Sequence, residues 1–163
     1  EKIRLSNGLR LILIPNRHTR AVTVLVLFGV GSRYETKENN GISHFLEHLV
    51  FKGTKKRPSA LELVEVLDKI GGIYNAYTAK EYTGYFAKVD SQHLKIAVDW
   101  LSDLVLQPLL REEDIERERK VIIQEIKMYL DTPMKYVGDL WERLLYKDSS
   151  LGRLVLGEEA VVR

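Results

Sequence analysis

The chain predicts an α+β fold, a mostly antiparallel β-sheet covered by α-helices. Three observations carry that prediction: an Asn-Gly pair between two short apolar runs near the start, a β-branched apolar run over residues 21–32, and three helical patterns in succession over residues 92–146. Strands and helices come in segregated runs. That order belongs to layered α+β domains and differs from the alternation of a parallel sheet.

Residues 3–5 and 9–14 flank Asn7-Gly8. Both turn residues tolerate the positive φ of a type I′ turn, so a tight β-hairpin is expected. "AVTVLVLFGVGS", residues 21–32, is almost entirely apolar and is expected as a central strand, covered on both faces and ended by glycines. Helices are expected over about 40–51 and 59–70, with Gly71-Gly72 stopping the second. "IYNAYT" and "YTGYFAKV", rich in aromatic and β-branched residues, lie on either side of Ala79-Lys80-Glu81 and read as a second hairpin. The closing helices are expected over about 92–106, ahead of Pro108, over 111–130, and over 132–146 with Pro133 in a first-turn position.

At 163 residues the chain suits one domain, residues 1–163, with one buried core. Its 45% hydrophobic and 29% charged residues are those of a globular protein, and no apolar run approaches a membrane span. The net charge of +2 comes from 25 basic and 23 acidic residues in alternation, which gives no field for nucleic acid or an anionic bilayer. The basic stretch "KGTKKRPS" reads as a solvated loop between helices. With no cysteine there is no disulfide framework, thiol nucleophile or Cys-type zinc site. No basic-then-apolar leader opens the chain, so the compartment stays open, with the cytoplasm favoured.

The chemistry concentrates in "GISHFLEHLVFKGT", residues 41–54. On a helix, Ile42, Phe45, Leu46 and Leu49 gather on one stripe, expected to be the buried one, with Val50 at its edge, and His44, Glu47 and His48 gather opposite. Histidines at i and i+4 project in parallel from adjacent turns and can reach one zinc ion. Glu47 lies between them in angle. A carboxylate there can take a proton from water without being a ligand. His18 and His93, in a polar turn and at a helix start, read as ordinary polar residues. A catalytic zinc site takes three protein ligands. In "DIERERKVIIQEIKMYL", residues 114–130, Ile115, Ile122, Ile126 and Tyr129 form the buried stripe, and Glu118 and Glu125 stack along its edge. Neither glutamate has a Lys or Arg at i±3 or i±4, whereas Glu113 and Glu116 do. Either they serve a site, or they pair with distant cations.

The chain resembles the inverzincin metallopeptidases, the pitrilysin and insulin-degrading-enzyme family, and most closely their mitochondrial-processing-peptidase-like branch. The resemblance runs nearly end to end, through "LSNGLRLI", "GSRYE", "GISHFLEHLVFKGT", "GGIYNAYTAKEYT", "AVDWLSDLV", "IERERKVIIQEI" and "LGRLVLG" in the family order. It implies one Zn2+ per chain held by His44, His48 and Glu125, with Glu47 as general base on the zinc-bound water and Glu118 supporting the site from behind the ligands. The activity implied is hydrolysis of peptide bonds in extended peptides. Substrate is expected to add as a strand beside "YNAYT", at Asn75 and Ala76, with Phe45 lining a pocket next to the cleaved bond.

Family members close as clamshells of homologous halves. This chain stops at "LGEEAVVR", before a first half would end, so it is expected as a fragment or a natural short form, completed by a second half or partner subunit and exposing apolar surface where that would pack. The residues that grip substrate and the oxyanion are expected outside it. Noncatalytic subunits of the same family offer an alternative reading, opposed by the intact metal motif, as does a zinc-binding fragment that never turns over. S-ribosylhomocysteine lyase carries a similar motif with a catalytic cysteine, which this chain lacks.

Overall fold

The computed structural model describes residues 1–163 and contains five strands and six α-helices. β1 (Lys2–Arg4) and β2 (Arg10–Ile12) form a hairpin that stands as its own two-stranded sheet. Its turn differs from the expected one. Ile3 opposes Leu11, Arg4 opposes Arg10, and the Leu5 N–H donates to Leu9 O, which leaves a three-residue loop, Ser6 to Gly8. In that loop only Gly8, at φ +88°, takes positive φ, and the Asn7 side chain accepts from the Leu9 N–H at 3.1 Å. The hydrogen-bonded register chose the longer of two loops that the same dipeptide serves.

The main sheet is antiparallel, with strand order β3 (Ala21–Phe28), β5 (Thr83–Asp90), β4 (Ile73–Thr78). The central strand is therefore β5, which corrects the expectation for residues 21–32. β3 is an edge strand: Val22, Val24 and Val26 pack on the core while Leu25 and Leu27 face solvent. Alternation was masked because both faces of β3 are apolar.

Helices cover one face of this sheet. α2 (Ala60–Asp68) and α3 (Leu94–Leu106) bring Leu63, Leu67, Ala97, Trp100, Leu101 and Leu104 onto Ala76, Tyr85, Ala87 and Val89. Trp100 is fully buried, and its indole N–H donates to Leu63 O at 2.7 Å, so a large apolar ring is buried without an unpaired donor. A capping box opens α2, with Ser59 and Glu62 bonding each other's backbone N–H. α4 (Glu112–Leu130) forms a second core of Ile122, Ile123 and Ile126 with Val162 from the short α6 (Glu159–Val162).

α5 (Pro133–Tyr146) follows Thr132, with Pro133 in its first turn as expected, and has no buried residue. No helix is long and apolar enough to cross a membrane. The basic loop after residue 51 is occupied internally: Arg57 pairs with Asp103 and Asp99 of α3, and Lys56 with Asp99.

Candidate metal centre

α1 (Ile42–Val50) carries the histidines, and it buries part of both its faces. His44 is only 8% exposed, whereas Ile42 and Leu46, on the stripe expected to be buried, are 56% and 43% exposed. The polar side of the helix lies against α4 and the end of β4, and what buries it is the partners those side chains find there. Of the apolar stripe and its edge, Leu49 and Val50 are buried, and Phe45 packs against the Ile122, Ile123 and Ile126 cluster with the Arg119 guanidinium 5.8 Å from its ring centre.

The start of α1 is not capped by its own neighbours. Gly41 precedes the helix at φ +98° with no side-chain cap, and the carboxylate of Glu35 accepts from the Gly41 N–H at 2.7 Å, the Ser43 N–H at 2.9 Å and Asn40 Nδ2 at 3.0 Å. A buried anion thus meets the positive end of the helix and satisfies two donors that the helix cannot. A Cβ on Gly41 would stand 2.8 Å from Gly157 Cα, which explains the glycine and docks "LGRLVLG" on the helix start.

Three side chains then converge. His44 Nε2 lies 3.7 Å and His48 Nε2 3.3 Å from the same oxygen of Glu125, and the donor atoms of the three residues all fall within 4.8 Å of one another. The imidazole planes are inclined at 71° with centroids 4.7 Å apart, so the rings meet at an angle and do not stack. Donors bound to one zinc at roughly 2.0–2.1 Å in tetrahedral geometry stand about 3.3–3.4 Å apart, close to the two separations found. Two imidazole nitrogens and a carboxylate oxygen are also the donor chemistry that zinc takes. The residues fit the ion.

Around them stand the second expected glutamate and two residues that sequence reasoning missed. Glu118 accepts from His48 Nδ1 at 3.3 Å, leaving His48 Nε2 for the metal side. Lys52 Nζ lies 2.8 Å from the other Glu118 oxygen, so Glu118 touches both a histidine of the cluster and a cation distant in sequence. Glu47 accepts from the Thr78 hydroxyl at the end of β4.

The charges follow from these contacts. Hydrogen bonding to Glu125 raises the His48 pKa and lowers that of Glu125, while burial, with His48 beside it, depresses His44. Burial pushes the Glu47 carboxyl up against the opposing Thr78 hydrogen bond, and burial next to Glu47 raises Tyr85 to about 12. Asn75 is exposed on β4, with its Oδ1 accepting from the Ala76 N–H at 2.9 Å, and Ala76 is buried. β4 has a partner on one side only.

An α+β layer that brings two helical histidines and a glutamate from a second helix together, with Glu47 held nearby by Thr78, carries a donor set that zinc peptidases use. The chain belongs to the insulinase family, peptidase family M16, whose model matches residues 10–159. It is 47% identical over 153 residues to an uncharacterized zinc protease, YmxG, of Bacillus subtilis, covering 94% of this chain and 37% of that protein. It is 42% identical to the β subunit of the mitochondrial-processing peptidase of Rattus norvegicus, again over 94% of this chain and 31% of the other. Its structure matches a protease from Helicobacter pylori with a TM-score of 0.93 at 28% identity, over 99% of this chain and 39% of that one. Pitrilysin matches at 0.84 and 29%, over 99% of this chain and 17% of its own. The chain spans about a third of the length of these curated relatives.

Proposed function

We propose that the protein hydrolyses peptide bonds of extended peptides with zinc held by His44, His48 and Glu125. The observation that carries the reading is the convergence of those three side chains beside a Glu47 that ligates nothing and is tethered by Thr78. Bound there, zinc supplies Lewis acidity and lowers the pKa of a water toward ~7. Glu47 takes the proton of the attacking water and returns it to the leaving amine. Burial raises its pKa, which makes it a better proton acceptor than an exposed carboxylate. Glu118 fixes the His48 tautomer and ring angle.

Substrate adds as a strand on the unpaired edge of β4, at Asn75 and Ala76, displacing the Asn75 side chain from the Ala76 N–H, with Phe45 lining a pocket next to the cleaved bond. Residues 1–163 act as one N-terminal catalytic unit, and a second half or partner subunit closes over it. Its share of the relatives' length favours a second reading of the isolated chain, in which it binds zinc and turns over slowly or not at all.

Bound zinc and hydrolysis of a quenched-fluorescence peptide library, measured on the same samples, test these roles. Wild type holds about one zinc, His48→Ala loses it, and Glu47→Gln keeps the metal with activity lowered by at least about 10³-fold. Zinc retention by His48→Ala would refute the ligand set. An inert, zinc-loaded wild type would leave the second reading standing alone.

A further inference from the structure

We propose that Lys52 is a positioning residue of the metal centre, holding Glu118 so that Glu118 in turn holds the His48 ring; the inference rests on the zinc reading above. α1 and α4 pass each other in opposite directions, and their facing side chains form one ladder. His44 meets Glu125, His48 meets Glu125 and Glu118, and Lys52 meets Glu118. His44, His48 and Lys52 are spaced by four, so they rise from one row along the helix and just past its end. Lys52 closes that row.

The geometry separates Lys52 from the rest of its basic stretch. Lys56 and Arg57 turn toward α3, whereas Lys52 turns inward to α4. Its backbone is held at both ends, the N–H by Leu49 O at 3.0 Å and the carbonyl by Arg111 Nη2 at 2.9 Å, so the side chain starts from a fixed point. Glu118 is 4% exposed in its side chain, and its two oxygens are divided between Lys52 Nζ at 2.8 Å and His48 Nδ1 at 3.3 Å. Remove Lys52 and the carboxylate keeps one partner, His48 Nδ1, in a buried site, free to rotate about its terminal bond or to swing toward water. His48 then loses the contact that sets its ring angle. Partners of this kind behind a metal ligand change affinity by about 10–100-fold.

The experiment measures zinc affinity by competition with a chromogenic chelator, alongside melting of the metal-free protein, for wild type, Lys52→Met, Lys52→Arg, Glu118→Gln and the Lys52→Met, Glu118→Gln double variant. Methionine keeps most of the apolar stem, so packing is conserved. The expected result is a loss of about 10-fold or more in affinity for Lys52→Met, most of it restored in Lys52→Arg. Added to Glu118→Gln, Lys52→Met costs nothing more, because Lys52 acts through that carboxylate. Affinity equal to wild type in Lys52→Met, or the same loss with Glu118 already changed, overturns the proposal. A wild-type protein that takes up no zinc removes the zinc reading and this one with it, and that result is seen before any variant is made.

Discussion

At Glu47, the sign of a pKa shift makes a prediction that needs no metal. Burial raises its carboxyl above the ordinary 4.5, so on raising the pH the unfolded chain gives up its proton first. The folded state therefore loses stability between 4.5 and the raised value, and that cost persists at neutral pH. Glu47→Gln, which can still accept from Thr78, is expected to gain stability over wild type at pH 7 and to gain little at pH 4, in denaturant titrations of the metal-free protein. His48 has the opposite consequence. Glu125, and then Glu118, favour its imidazolium, so the metal-free protein is stabilised below the ordinary 6.5 and loses that stabilisation as the pH rises through the higher folded value. Zinc needs the neutral ring, and its affinity is expected to climb with pH through the same range, read by chelator competition at a series of pH values.

Among the elements, α1 depends most on contacts outside itself. Nine residues are too few for a helix to persist alone in water, and this one spends its polar face on partners. Glu35 fills the cap that Gly41 leaves open, so Glu35→Ala is expected to destabilise the fold by about 1–3 kcal/mol and to weaken zinc binding, since the helix start carries His44. Calorimetric melting with and without zinc reads both effects. A Glu35→Ala protein with unchanged melting would mean that water caps the helix equally well. By contrast α2 carries its own capping box, and Ser59→Ala is expected to cost only about 1 kcal/mol and to leave zinc affinity unchanged.

Across the whole molecule, apolar surface is distributed unevenly. Met134, Val137, Trp141 and Leu144 form a stripe along α5 that faces solvent, with Trp141 62% and Leu144 71% exposed, and the outer face of the main sheet exposes Leu25, Leu27 and Ile73. Contiguous patches of this kind drive association. The 163-residue chain is expected to self-associate as its concentration rises, and Trp141→Lys with Leu144→Glu to shift light scattering toward the monomer with the helical circular-dichroism signal retained. Scattering that stays monomeric in wild type would show that the stripe does not drive self-association.

Local pattern and general chemistry were enough for the order of elements, the closing helices, both hairpins and the spacing of two histidines and a glutamate on one helix, because those depend on neighbours within a helical turn or on segments joined by one short turn. The same residues named Glu118 and Glu125 by what they lacked, a cation one turn away. They could not say that the helix buries its polar side, that β3 lies at an edge, or that Lys52, Thr78 and Glu35 close around the site. Lys52 with Glu118 and Thr78 with Glu47 are groups far apart in the chain, and Glu35 reaches Gly41 and Ser43 only because the loop between them folds back. A periodic pattern says which side chains share a face; only packing decides which face has partners for buried charge, and here the carboxylates on α4 drew the histidine face inward alongside Leu49 and Val50.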